Sequence, residues 1–293
     1  MTSLIIPAHN ESAVIRRGLD ALLQDAVPGE FEIIVACNGC SDDTAAIARS
    51  YGGPVRVVET DVASKVAALN LADSVATGYP RFYIDADIVL STDDIRKMTT
   101  ELERGEKLAV SPTMQMDLSR ASWPVRAYYQ VWTRLPYTRA GMMGVGVYGL
   151  SEAGRQRFGE FPDVIADDGY VRVLFADDER GAVPGTVSVV QAPATLAGLI
   201  RIKTRSRLGE YQLRERYPER FQQDRKDYSG ALRRMLRNPL RWPATGVYLL
   251  VNFISRLRAK RQVQSLDTYQ WERDTSSRQP AEASAPSPVA NKP

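Results

Sequence analysis

Short apolar runs alternate with segments of helical period through residues 1–200. Residues 4–6, closed by Pro7, read as a buried strand; Ile15, Leu19, Leu22 and Leu23 then recur at helical spacing behind Ser12, a residue suited to cap that helix. After Pro28-Gly29, residues 31–35 read as strand two, and Asn38-Gly39 turns the chain towards a helix capped by Ser41 or Asp42 that runs to Ser50. Residues 55–58 and 81–84 give strands three and four around a helix over 64–75, and a helix opening at Asp93-Asp94 leads to strand five over 108–111. Strands separated by helices predict an α/β fold with a mostly parallel central sheet and right-handed crossovers. Ligands of such sheets bind beyond the carboxyl ends of the strands. Three polar clusters fall at such ends: His9-Asn10-Glu11, residues 38–43 and Asp85-Ala86-Asp87.

The second half is less regular. Residues 123–135 predict an aromatic-rich helix, and residues 141–149 are too glycine-dense for one, so they read as loop and strand where backbone approaches a ligand or another strand closely. Asp167-Asp168 opens a helical stretch over 164–175, where a helix N-terminus tolerates negative charge, and residues 187–190 give a further strand. From Thr195 the chain is helical and basic. Alternate spacing of Arg201, Lys203, Arg205 and Arg207 would scatter them around a helix axis, so a phosphate-facing loop or bent segment is expected there. The apolar run 245–255 falls short of the roughly 20 residues of a spanning helix. With Trp242 before it and Arg256, Arg258, Lys260 and Arg261 after it, the expectation is a helix lying in a membrane interface rather than one packed on the catalytic domain. Residues 275–293, rich in Ser, Pro and Ala, are expected to be disordered. The expected organisation is a catalytic domain over 1–200, a basic helical C-terminal extension over 201–274, and the tail.

Charge sharpens that division. The 293 residues carry a net charge of +3, but residues 1–200 hold 18 Lys and Arg against 26 Asp and Glu, while residues 201–260 hold 16 against 5. A basic segment beside an acidic half suits an anionic membrane surface or phosphate-bearing ligands. Nucleic acid is not an expected partner, since no stacking-aromatic or zinc motif accompanies the basic segment. Cys37 and Cys40 are the two cysteines and His9 the one histidine, so Cys and His cannot assemble a four-ligand zinc site. Asn38-Gly39 reads as a turn rather than the start of a redox helix, leaving two reduced thiols in a cytosolic protein. Met1-Thr2-Ser3 runs straight into the first strand without a leader, so a cytoplasmic location is expected, peripheral on the inner face of the membrane.

Two carboxylates one residue apart at a strand end suit a hard divalent cation, whose remaining ligands a diphosphate can supply. In this setting Ile6-Pro7-Ala8-His9-Asn10-Glu11, residues 38–44, Lys65 with Ala68-Leu69-Asn70, Asp85-Ala86-Asp87, and Asp167-Asp168 with Arg172 together resemble the family 2 glycosyltransferases, over residues 3–215. The resemblance implies the GT-A nucleotide-binding fold and inverting transfer from a nucleoside-diphosphate sugar with Mn²⁺ or Mg²⁺. It implies that Pro7, His9, Glu11, Asn38 and Asp42 flank the nucleoside and that Lys65 lies near the base or phosphates. Asp85 and Asp87 would meet ribose and metal, and Asp168 would be the catalytic base, with Asp167 its local rival. Two departures stand out. Cys37 replaces an acid that commonly precedes the Asn-Gly turn and often contacts the nucleobase, and residues 201–207 lack the Gln-x-x-Arg-Trp motif of processive synthases. The expected activity is therefore non-processive transfer to an acceptor glycan or lipid-linked sugar, in cell-envelope, exopolysaccharide or glycolipid synthesis.

Two other readings compete. A sugar nucleotidyltransferase usually needs a glycine-rich, basic loop after its first strand. Residues 7–11 contain neither glycine nor a Lys or Arg. A catalytically inactive nucleotide-sugar or glycan-binding subunit is opposed by the retention of the carboxylates expected for metal binding and catalysis, Asp85, Asp87, Asp167 and Asp168.

Overall fold

The computed structural model describes residues 1–135, 138, 146–221, 230 and 237–263. The expected tail over 275–293, residues 264–274 and residues 141–145 of the glycine-dense stretch lie outside the described residues. In chain order the elements are β1 (Thr2–Ala8), α1 (Ile15–Leu23), β2 (Phe31–Asn38), α2 (Thr44–Arg49), β3 (Val55–Thr60), α3 (Lys65–Val75), β4 (Arg81–Ile84) and α4 (Thr92–Glu103). There follow β5 (Ala109–Asp117), α5 (Trp123–Trp132), β6 (Val147–Leu150), α6 (Glu152–Arg155), α7 (Asp167–Arg172), β7 (Arg180–Gln191), α8 (Leu196–Arg216) and α9 (Trp242–Gln262).

The sheet has seven strands in the order β3-β2-β1-β4-β6-β5-β7. The β1–β2, β1–β4, β2–β3 and β5–β7 pairs are parallel, and β6 runs against both β4 and β5. Period-two alternation decides which face each side chain enters. Leu4, Ile6, Ile33, Val35 and Cys37 join one core, and Ile5, Ile34 and Ala36 the other. Burial on both faces explains why these strands read as continuous apolar runs rather than alternating ones.

Strand one continues past Pro7. The missing N–H is tolerated because pairing of β1 with β4 stops at Ile5, leaving that side of the strand end without a ladder. Ser12 does not cap α1, which begins three residues later; the Glu11 carbonyl instead accepts from the Val14 and Ile15 N–H groups, each at 2.9 Å. Nor does Ser41 or Asp42 occupy the cap position of α2, which is Asp43, although Asp42 bonds inside the turn. Ser64, one residue ahead of α3, accepts from the Ala67 N–H. Ser91 and Asp94 form a capping box on α4, whose first turn carries the expected Asp93-Asp94 pair.

The largest departure is at the basic segment. Arg201, Lys203, Arg205 and Arg207 lie within one continuous helix, α8, not a loop or a bend. Its neighbours explain this: Leu213 packs into the core beneath α7, whereas Leu199 joins a third core with α5 and α9, so apolar contacts hold both ends of the helix. Gly209 permits the approach to α7, since a Cβ there would lie 2.7 Å from the Ala166 Cβ. Helix α9 both packs and exposes apolar surface. Ala244, Tyr248 and Val251 are buried in the third core, while Trp242, Leu249, Leu250, Phe253 and Leu257 face outwards, Phe253 at 60% exposure. No described helix is long and apolar enough to cross a membrane.

Candidate active site

A crevice of about 920 Å³ runs along the carboxyl rim of the sheet. At the β1–β2 end it is lined by Pro7, His9, Glu11 and Asn38, in the middle by Lys65, Asp85, Asp87, Asp167 and Asp168, and towards β5 and β7 by residues of α5, α8 and α9. Three stretches far apart in sequence thus converge where the strand-end clusters predicted a site.

The loops after β1 and β2 are fastened to each other. The Ser41 N–H donates to Asn10 Oδ1 at 2.8 Å, the Glu11 N–H to Thr44 Oγ1 at 2.8 Å, and the Ser12 N–H to Asp42 Oδ2 at 3.1 Å. Asn10 has φ 52°, a left-handed conformation that asparagine tolerates better than most residues. Asn38, buried, donates to the Ala8 carbonyl at 2.9 Å, and its own carbonyl meets His9 Nδ1. Asp42 is not among the crevice-lining residues. Burial works against its ionisation, but hydrogen bonds from Thr44 and Ser12 outweigh that and hold its carboxyl down at about 2. Its visible work is to tie one loop to the other.

The centre of the crevice is an ion cluster. Lys65, first residue of α3, places Nζ 2.8 Å from Asp85 Oδ1 and 3.1 Å from Asp167 Oδ1. Burial opposes the Lys65 charge, but Asp167, Asp85 and Asp168 reverse that and raise its pKa. Asp167 is 5% exposed; burial drives its carboxyl up to about 6 against the pull of Lys65, with Asp168 and Asp85 adding to the rise. Asp168 is less enclosed, and its Oδ1 accepts from the Gly169 N–H at 2.8 Å. Both acids stand at the start of α7, where backbone N–H groups without helical partners favour negative charge.

Among the described residues no group of three His, Cys, Asp or Glu is placed to hold a metal ion. The residues do fit a smaller share of a shell. Asp85 and Asp87 are half-buried hard-oxygen donors in the crevice, and Lys65 occupies Oδ1 of Asp85. Beside Oδ2 stands Gly146, at φ 67°, where a Cβ would come within 3.3 Å of that oxygen and 2.7 Å of Ile88 Cγ1. A cation held there would complete its shell with oxygens from a bound phosphate.

Apart from Asn70, whose motif was recognised without a role, sequence reasoning missed the supports of this cluster. Tyr83 and Tyr148 stack at 4.9 Å within the crevice wall, and the Tyr83 hydroxyl donates to Asp73 Oδ1 at 2.6 Å. Asp73 also pairs with Arg81 at 2.9 Å and with Arg155 at 2.5 Å, a buried ionic group that nothing in the local spacing marks. Asn70 clasps the segment leading to α7, donating to the Phe161 carbonyl at 3.0 Å and accepting from its N–H at 2.7 Å. Gln212 of α8 accepts from the Ile165 N–H at 2.8 Å. Asp167 and Asp168 are therefore positioned from α3 and α8 at once. Cys37 belongs to the buried core and does not line the crevice; burial, then the neighbouring Cys40, pushes its thiol up to about 12. Both cysteines are free.

Residues 3–144 match the family model described as Glycosyl transferase family 2. A curated relative, the 4,4'-diaponeurosporenoate glycosyltransferase of Staphylococcus aureus, is 41% identical over 63 residues, which is 22% of this chain and only 16% of that protein's length. Among solved structures, the mannosyltransferase PcManGT from Pyrobaculum calidifontis, in complex with GDP-Man and Mn²⁺, superposes with a TM-score of 0.64 at 21% identity, covering 92% of this chain and 88% of that one. The glucosyl-3-phosphoglycerate synthase of Mycobacterium tuberculosis, in complex with Mn²⁺, UDP and phosphoglyceric acid, gives 0.52 at 20% identity over 74% and 78% of the two chains. The fold is thus the GT-A type.

Proposed function

We propose, from the premise that residues 3–144 make this chain a family 2 glycosyltransferase, that it moves a sugar from a nucleoside-diphosphate sugar to an acceptor hydroxyl, with inversion and one addition per encounter. One observation carries the reading. Lys65 joins Asp85 to Asp167 in a crevice that Asp87 and Asp168 also line and that reaches the interlocked loops after β1 and β2.

In this reading Pro7, His9, Glu11 and Asn38 hold the nucleoside end, and Asp42 acts through the Ser12 backbone by fixing the shape of the first loop. Lys65 meets the negative charge of the diphosphate. Asp85 and Asp87 would hold a Mn²⁺ or Mg²⁺ ion, which when bound neutralises charge on the departing diphosphate. Asp168 accepts the proton of the acceptor hydroxyl as that oxygen attacks the anomeric carbon. The bond from the anomeric carbon to the diphosphate oxygen breaks, its electron pair leaves with the nucleoside diphosphate, and Asp168 returns the proton to solvent. Asp167, buried and paired with Lys65, holds the lysine in place and is poorly placed to receive a proton from an incoming acceptor.

The outward face of α9 suits an anionic membrane surface. Trp242, Leu249, Leu250 and Phe253 form an exposed apolar stripe, and Arg256, Arg258, Lys260 and Arg261 follow on the same helix. Such seating fits an acceptor glycan or lipid-linked sugar of a cell-envelope, exopolysaccharide or glycolipid route.

A panel of UDP-, GDP- and dTDP-sugars with Mn²⁺ or Mg²⁺ tests the reading. Metal-dependent release of nucleoside diphosphate from one of them is expected. Consumption of a nucleoside triphosphate with pyrophosphate release, or donor binding with no turnover under any acceptor mixture, would overturn it.

A further inference from the structure

The far end of the crevice has a charge pattern that the donor reading does not use. Lys203 of α8 places its ammonium 4.2 Å from the Trp132 ring centroid, 5.3 Å from Tyr128 and 5.5 Å from Tyr129, all on α5. No carboxylate pairs with it among the described residues. The charge that acts on it is Arg207, one helical turn on and of the same sign, whose guanidinium bonds to Asn252 Oδ1 of α9. Two cations four residues apart share one helix face and repel. Burial first and Arg207 second push the Lys203 amine down to about 7.

This cationic pair also lines the crevice. The sheet order sets where: α5 follows β5 and α8 follows β7, at the opposite edge from the β1–β2 loops, with Asp85 and Gly146 between at the ends of β4 and β6. A donor laid from the β1–β2 loops to Lys65 and Asp85 leaves this end open, on the side from which an acceptor must reach Asp168. Lys203 lacks a carboxylate partner among the described residues, and Glu210, the acid that follows Arg207 in the crevice wall, pairs with Arg214. A buried cation in that state is unfavourable alone and becomes favourable when an anion completes it.

We propose that Lys203 and Arg207, backed by Trp132 and Tyr129, form an acceptor subsite for a phosphate-type anionic group, so that the acceptor is a phosphorylated molecule and not a neutral sugar. The inference rests on the transferase reading for the word acceptor; the anion site itself does not. The phosphate can belong to a soluble sugar phosphate or to a lipid phosphate presented at the membrane face of α9, whose Asn252 is shared with the site.

The test uses the full chain saturated with UDP or GDP and Mn²⁺, so that the donor diphosphate site is filled. Calorimetric titration follows with inorganic phosphate, with glucose 6-phosphate, and with vesicles carrying a polyprenyl phosphate. Binding of at least one probe is expected, weakened at least about tenfold by Lys203→Gln and by Arg207→Gln, as for loss of one charge-assisted contact. Lys203→Arg should keep it within about threefold because the charge remains. Circular dichroism melts of each variant report folding separately. Preference for glucose 6-phosphate over the vesicles assigns a soluble acceptor, and the reverse assigns a lipid one. Equal binding by the parent and both Gln variants, or no binding of any probe to the parent, overturns the subsite. A chain that binds phosphate through these cations but releases no nucleoside diphosphate from any donor would keep the subsite and remove the transferase reading.

Discussion

The middle of the crevice and its far end treat charge in opposite ways. In the middle, carboxylates crowd together and a single lysine serves two of them, Asp85 and Asp167, while a third, Asp168, stands beside them. At the far end, cations crowd together with no carboxylate among the described residues to balance Lys203. A set of acids sharing one lysine has capacity for a further cation or a proton. A pair of like-charged bases, of which Lys203 has no carboxylate partner among the described residues, has capacity for an anion. On the proposed transfer, the groove is prepared for both halves of the reaction by distributing sign along its length.

The largest expected effect comes from neutralising Asp168, the less enclosed of the two acids at the start of α7. Asp168→Asn should lower transfer by about two to four orders of magnitude, the weight of a positioned general base, while nucleotide binding measured by calorimetry persists. Near-parental turnover would move the base elsewhere. Next in size is Lys65→Met, which leaves buried Asp167 facing Asp85 without its cation. A loss of about 2–4 kcal/mol is expected in urea denaturation, below the full range for an enclosed pair because Asp85 is partly open to solvent. A destabilisation under about 0.5 kcal/mol would mean that the cluster relaxes into water.

Gly209→Leu probes how the two ends are joined, because the new side chain would meet Ala166 ahead of α7. Overpacking should cost roughly 1–3 kcal/mol and reduce turnover together with stability. The smallest expected effect is at the nucleoside end. The Asp42 carboxyl is depressed in the folded protein from an ordinary 3.8 to about 2. A depressed acid contributes stability that is whole above the unfolded value and lost as pH falls through the folded one. Asp42→Asn should therefore be less stable by about 1 kcal/mol at pH 7, discounted for partial exposure, and the two proteins should converge as pH approaches about 2. A difference independent of pH would assign the effect to loop shape rather than charge.

The two ends also differ in how far the sequence disclosed them. Strand four and the helix from Lys65 were legible almost to the residue, because uninterrupted apolar runs and a Ser cap act locally. The polar strand ends were legible for the same reason, since the parallel sheet brings them to one rim. Ser12 misled because a hydroxyl before an amphipathic stretch is only an opportunity; here the Asp42 carboxylate engages the Ser12 backbone N–H, and the helix starts later. Helix α8 was misread because its apolar residues serve two different cores, which erases a single stripe and leaves the alternate basic residues as the visible pattern. The aromatic wall around Lys203 was beyond reach. It depends on α5 meeting α8 across more than seventy residues of chain, a tertiary fact without a local periodicity.

Cys37 sets a limit on redesign. Its side chain is packed among apolar neighbours behind the sheet rim and does not line the crevice. An aspartate grafted there would enter a sealed, oily compartment, where a carboxyl group either keeps its proton or wrenches the strand open to reach water. Altering nucleotide preference, on the proposed transfer, should therefore start from His9 and Asn38, whose side chains already border the groove.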